Sequence, residues 1–145
     1  VRLMSVAVII DNNSIDIASD ELKNQLKNNY PSLADVINVG SNFGYNSGNA
    51  VVNGSVATNL GLFRAYLCHY LLRHSMISTQ WQILVNLLAG DNSGQPLQVY
   101  CYVATTDWTI FEAVKSEVLE HVISTSRRFG LSVYNSVAGL DLRKG

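Results

Sequence analysis

Leu97-Gln-Val-Tyr-Cys-Tyr-Val103 alternates apolar and polar side chains without a break, and Trp81-Gln-Ile-Leu-Val-Asn-Leu87 nearly does the same. A period of two is the signature of strands with one face in a core and the other turned outward. Between the runs lies Gly90-Asp-Asn-Ser-Gly-Gln-Pro96, a cluster of turn residues, so the pair is predicted to form a β-hairpin with a loop longer than the tight two-residue type. The expected inward sets are Trp81, Ile83, Val85 and Leu87 on one strand, and Leu97, Val99, Cys101 and Val103 on the other. Tyr100 and Tyr102 then share the opposite face with Gln98.

Helices flank this hairpin. Upstream, Thr58 or Asn59 caps a segment in which Leu60, Phe63, Leu67, Tyr70 and Leu71 fall on one stripe and Arg64 points away, ending near His74-Ser75. Downstream, Thr106-Asp107 caps the longest helix, whose expected apolar set is Ile110, Phe111, Val114, Val118 and Val122, with Phe129 beyond. Gly130 suits the left-handed residue just past a helix end. Arg127-Arg128 favour the negative end of the same helix. Leu131 to Tyr134 reads as a last short strand.

The first strand is Leu3 to Ile10, a β-branched run expected to be buried and to end in the turn Asp11-Asn12-Asn13, with Ser14 to Ile17 a candidate extension. Ser19 caps a short helix with acids Asp20 and Glu21 in its first turn and Leu22, Gln25 and Leu26 at helical spacing; Pro31 stops it. A further short helix is expected over 32–39. Residues 40–54 are rich in Gly, Asn and Ser and read as an exposed, mobile loop. The predicted fold is α+β: a two-layer, ferredoxin-like βαββαβ sandwich, with an antiparallel sheet, two main helices on one face, and a helical and Gly-rich insertion (19–57) after the first strand. The domain is expected to span 1–136, with a flexible tail over 137–145.

The 145 residues suffice for one domain with a core of its own. Charged residues are 14% and the formal net charge is −1, which argues against the basic surface that nucleic-acid binding demands. The glycines at 40, 44, 48 and 54 match neither the phosphate loop nor the dinucleotide fingerprint, and no Gly-Lys-Ser/Thr follows. His69, His74 and His121 lack the short spacings of a zinc site. Cys68 and Cys101 are far apart in apolar segments and read as buried free thiols of a reducing compartment. Cys68 and His69 are neighbours on a helix, about 100° apart, and do not meet. Asp11, Asp16, Asp91 and Asp107 sit at turns or caps, where short acids serve the backbone. Tyr100 and Tyr102 could stack bases on a sheet, but the basic-aromatic RNA signature is missing, and a protein–protein contact fits them at least as well. The residues thus put forward no catalytic, cofactor-binding or metal-ligating site, and the chain is expected not to be an enzyme. No apolar run reaches the ~18 residues of a membrane span. Opening on Val1, the chain is expected to be a fragment of a longer protein.

Several segments occur in an order that resembles a known family. They are Thr58-Asn-Leu-Gly-Leu-Phe-Arg-Ala-Tyr-Leu67, Gln95-Pro-Leu-Gln-Val-Tyr-Cys101, Trp108, Phe111-Glu112, Glu117-Val-Leu-Glu-His121 and Phe129-Gly-Leu131. Together they resemble the C-terminal cytoplasmic region of bacterial small-conductance mechanosensitive channels, in the mini-conductance branch. Arg2 to Ile17 is similar to the first strand of that region. The segment before Thr58 lacks the basic residues of the family pattern, and 41–53 is richer in glycine. The resemblance implies a homo-oligomeric inner-membrane channel that opens under tension and releases solutes on hypo-osmotic shock. This chain would form cytoplasmic vestibule wall and assembly surface, tied to the membrane only by spans that precede Val1. The residues alone leave open a free-standing ferredoxin-like module that binds a small molecule, and a small cysteine- or metal-dependent enzyme.

Overall fold

A computed structural model describes residues 1–34, 37, 45–47, 50–52, 57–90 and 94–134. The strands are β1 (Arg2–Ile10), β2 (Tyr45–Ser47), β3 (Ala50–Val52), β4 (Ile83–Leu87) and β5 (Gln95–Val103); the helices are α1 (Asp20–Asn29), α2 (Asn59–Arg73) and α3 (Trp108–Ser126). The protein is α+β. The described strands form one sheet in the order β1-β5-β4-β3-β2.

The alternating runs pair as expected. β4 and β5 are antiparallel, with Val85 opposite Val99 and Leu87 opposite Leu97. β5 also pairs antiparallel with all of β1, from Arg2 opposite Val103 to Ile10 opposite Gln95. β1, β4 and β5 each bury one face only: Met4, Val8 and Ile10 on β1, Ile83 and Val85 on β4, and Leu97, Val99, Cys101 and Val103 on β5. β1 is therefore half-buried, not the fully buried strand its apolar run suggested. Trp81 lies before β4 and is 50% exposed, and Leu87 is 41% exposed; the inward set of β4 reduces to Ile83 and Val85.

The reading of 40–54 as a mobile loop is corrected in part. β2 and β3 form a short antiparallel pair, and β3 joins β4 in parallel through Ala50 opposite Ile83 and Val51 opposite Leu84. Tyr45, Val51 and Val52 supply strand propensity inside a Gly- and Asn-rich segment, and the open edge of β4 offers the ladder they complete. The sheet is thus mixed, with an antiparallel core of three strands. The rest of 40–54, half of the helix expected over 32–39, and the 137–145 tail lie outside the described residues. Pro31–Leu33 forms a turn of 3-10 helix. Ser14 to Ile17 does not extend β1: Asn12–Ser14 is also a 3-10 turn, capped by the Asp11 carboxylate.

The expected helix caps hold. Ser19 Oγ accepts from the Leu22 amide, Thr58 Oγ1 from that of Gly61, and Asp107 Oδ1 from those of Thr109 and Ile110. Helix α3 buries Phe111, Val114, Val118 and Val122, while Ile110 is 44% exposed and leaves the predicted set. Helix α2 departs further from its single stripe. Leu60, Leu62, Phe63, Arg64, Ala65, Leu67, Cys68 and Leu71 are all buried. It is covered on several sides, touching β3 and β4 below and the 3-10 turns at Pro31–Leu33 and Arg127–Phe129 alongside. A helix enclosed this way has no solvent stripe to leave polar.

Gly130, at φ 73°, ends the Arg127–Phe129 turn as expected. Beyond it the predicted strand shrinks to one bridge, Val133 opposite Ile10, flanked by hydrogen bonds from the Tyr134 amide to Ile9 O (2.7 Å) and from the Asp11 amide to Ser132 O (2.8 Å).

Candidate functional site

The motif that carries the family resemblance turns out to occupy joints of the fold. Thr58 caps α2. Asn59, 4% exposed, ties three backbone groups together: Oδ1 accepts from the Asp16 amide (3.0 Å) and the Leu60 amide (2.8 Å), and Nδ2 donates to Ser14 O (2.9 Å). Ser14 Oγ in turn accepts from the Ser132 amide at 3.1 Å. Phe63 meets Phe129 with ring centroids 5.0 Å apart, and Tyr30 and Tyr66 also pack on Phe129. The clearest correction concerns Arg64, expected to point away. It is 6% exposed, and its Nε donates to Val85 O at 2.9 Å, tying α2 to β4. Burial pulls its pKa down, opposed in smaller measure by Cys68.

The residues weighed for chemistry end in different places. Cys68 and Cys101 are fully buried, and burial pushes each thiol up to about 12, so neither supplies a thiolate near neutral pH. His74 and His121 are brought together with Glu117, Tyr66 and Tyr70 along the seam between α2 and α3. His74 Nε2 lies 2.5 Å from Glu117 Oε1, and His74 Nδ1 accepts from the Met76 amide at 3.0 Å. Tyr66 OH is 2.6 Å from His121 Nε2, and the rings of Tyr70 and His121 stack at 3.8 Å with 7° between their planes. Both nitrogens of His74 are engaged, so its imidazole offers no lone pair to a substrate. A carboxylate–imidazole pair needs a nucleophile or substrate on the far nitrogen to act as a base; in this seam that nitrogen is held by backbone. The pair braces two helices.

Sequence reading missed this seam. The signal lay in the spacing: Tyr66 and Tyr70 on α2 and His74 at its C-cap recur every four residues, and Glu117 and His121 do so on α3.

Two surfaces could receive a partner. One is a cleft of about 720 Å³ beside the seam, lined by Asn29, Tyr30, Pro31, Ser32, Tyr66, His69, Tyr70, Arg73 and His74. Its described lining holds no acid, and Arg73 in it is exposed. The other is the outer face of the sheet. Leu3, Ser5, Ala7 and Ile9 from β1, Gln98, Tyr100 and Tyr102 from β5, and Leu84 and Asn86 from β4 are exposed or half-exposed there. None carries a formal charge, and no described helix covers them. Trp81 packs on Tyr102 at 5.4 Å, and Tyr100 meets Tyr102 edge-on at 6.1 Å. Among the described residues no group of three or more His, Cys, Asp or Glu could hold a metal ion, and no helix is long and apolar enough to cross a membrane. A scan against protein-family models matches none to this chain, so the family resemblance rests on its motif residues.

Proposed function

We propose that this chain is an assembly domain without catalytic chemistry of its own: the C-terminal cytoplasmic part of a bacterial mechanosensitive channel of the small-conductance family, mini-conductance branch. It contributes vestibule wall and subunit contacts in a homo-oligomeric, tension-gated, inner-membrane channel. The observation that carries this reading is the outer sheet face, which presents Leu3, Ile9, Leu84, Tyr100 and Tyr102 and no formal charge. Aromatic residues without Lys, Glu or Asp are the composition of an interface core. A second copy of the chain meets no like-charge repulsion on such a surface. The finer topology belongs to the same proposal. With the Val133–Ile10 bridge as a residual fourth strand, the segments 131–134, β1, β5 and β4 follow the split βαβ order 4-1-3-2, and β2 and β3 extend its far edge.

Two measurements test the proposal. The gene upstream of Val1 should encode hydrophobic spans followed by a small β-rich segment; their absence ends the channel reading. In the full-length protein, Y100E/Y102E should lower the yield of chemically cross-linked oligomers. Unchanged cross-linking would remove the sheet face from the assembly.

A second reading is favoured by the cleft. A free-standing module could hold an aromatic anion against the cleft wall that Tyr30, Tyr66 and Tyr70 form, with Arg73 in the same lining. A complete short gene, with a thermal shift produced by aromatic carboxylates and lost in R73Q, would support it over the channel.

A further inference from the structure

β1 is an edge strand for most of its length. The Ile9 carbonyl accepts from the Tyr134 amide, and the Asp11 amide donates to Ser132 O, so the odd-numbered residues turn their backbone groups away from β5. The other side of β5 agrees. Pro96 O accepts from the Leu88 amide at the end of β4, which leaves Gln95, opposite Ile10, to face β1. Along a strand these directions alternate. The N–H and C=O groups of Leu3, Ser5 and Ala7 therefore line the open edge, and among the described residues no hydrogen bond reaches them. Proteins blunt such edges with Lys, Pro, a bulge or a covering element. β1 has none of the first three: its residues pair with β5 without a break, and Arg2 is their only charge. Its described cover is the single bridge at Ile10.

We infer that this edge is a strand-pairing site whose partner is β1 of a second copy, running antiparallel about a two-fold axis at Ser5. In that register Ser5 faces Ser5 of the other copy, and Leu3 of each copy faces Ala7 of the other. Each facing pair exchanges both of its N–H···O=C bonds, so every open group of the three residues is satisfied. A register shifted toward Ile9 fails, because Tyr134 already holds the Ile9 carbonyl. A shift the other way sets Ala7 against Val1, outside the strand. Charge agrees with the axis. Arg2 comes opposite Val8 of the other copy, and the two Arg2 residues stand roughly 20 Å apart, at ~3.3 Å per residue; parallel pairing would bring them together. Packing agrees too. Val6 is the one apolar residue on the core side of β1 that is not fully buried, and the pairing sets it beside Met4 of the other copy. The joined sheets share one outer face, extended across both copies without a formal charge. This contact uses the strand edge, separate from the outer face, and stands whether or not the chain belongs to a channel.

The test is sedimentation of this chain over a range of concentrations, with amide exchange read by NMR, for wild type, A7P, S5E, S5K and an equimolar mixture of the last two. Wild type should dimerise reversibly, and the Leu3, Ser5 and Ala7 amides should exchange slowly in the dimer and rapidly on dilution. Proline is tolerated where the N–H faces away from the sheet, so A7P should fold, and with two bonds lost per dimer its Kd should rise roughly 30-fold. S5E and S5K each set like charges face to face on the axis and should stay monomeric, while their mixture should pair. The site is overturned by a chain that is monomeric at every concentration, by a dimer in which the three amides still exchange rapidly, as face-on packing would leave them, or by amides protected equally in the monomer. An unchanged Kd in A7P, or a mixture of S5E and S5K that fails to pair, overturns it as well. Should A7P not fold, the amide exchange and the charge mixture decide alone.

Discussion

Replacing Asn59 by alanine tests how the first strand, the first turn and α2 are held in one frame. The side chain makes three hydrogen bonds to backbone, at 3.0, 2.8 and 2.9 Å, two of them to residues more than forty positions away. Each is worth about 1 kcal/mol net, and more where the abandoned partner stays buried. The Asp16 amide and Ser14 carbonyl are only part-buried, so water can reach them once the amide is gone. The expected cost of Asn59→Ala is then about 2–3 kcal/mol, or roughly 5–10 °C in Tm for a domain of this size. Asn59→Asp separates the contributions. It keeps the acceptor for the two amides and gains about 0.3–1 kcal/mol from a negative charge at a helix N-terminus. It also sets a carboxylate oxygen against Ser14 O where Nδ2 had donated. Stability should therefore fall in the order wild type, Asn59→Asp, Asn59→Ala, measured by urea unfolding with constant slope. An alanine variant within about 0.5 kcal/mol of wild type, or an aspartate variant below alanine, would refute the clamp.

Phe63→Ala and Phe111→Ala, at 0% and 7% exposure, should each cost about 3–5 kcal/mol in the same assay; wild-type melting of either would contradict the packing. Gly130→Ala should cost about 1 kcal/mol, because the residue is left-handed at φ 73° while an added Cβ meets only Asn59 Nδ2 at 3.6 Å. Gly94→Ala should cost more, since its Cβ would sit 2.5 Å from Ile10 O at φ 143°; equal melting points for the two glycine variants would disprove the distinction. Cys68 and Cys101, pushed up to about 12, should carry roughly one thiolate in ten thousand at about pH 8, so disulfide reagents should modify them only after unfolding. Rapid labelling of the native protein would show that the core opens.

What the sequence made legible is local. The inward residues of β5 followed from strict alternation, and Ser19, Thr58 and Asp107 announced their helices because a cap needs only a short polar side chain and the amides two or three residues on. Gly130 was legible for the same reason. Arg64 was not: an arginine on a helix reads as solvent-facing unless one knows that a strand carbonyl, at Val85, lies across from it. Ile110 failed in the reverse sense, because an apolar residue in a first helical turn can overhang the sheet edge. β2 and β3 were hidden by their glycines and asparagines, and they form against an edge that β4 supplies. The seam was missed because its partners stand 43 to 55 positions apart, and only the four-residue spacing on each helix hinted at it.

β1 has a mechanical consequence. Its nine residues are registered one by one against β5, and the chain leaves the described structure beside its far end, at Tyr134 next to Ile9. At about 3.3 Å per residue, the entry at Val1 and the exit at Tyr134 lie roughly 25–30 Å apart along the strand. A force stretched between those two points would run parallel to β1. It would load the ladder in shear, many hydrogen bonds at once, where a perpendicular pull would unzip them singly.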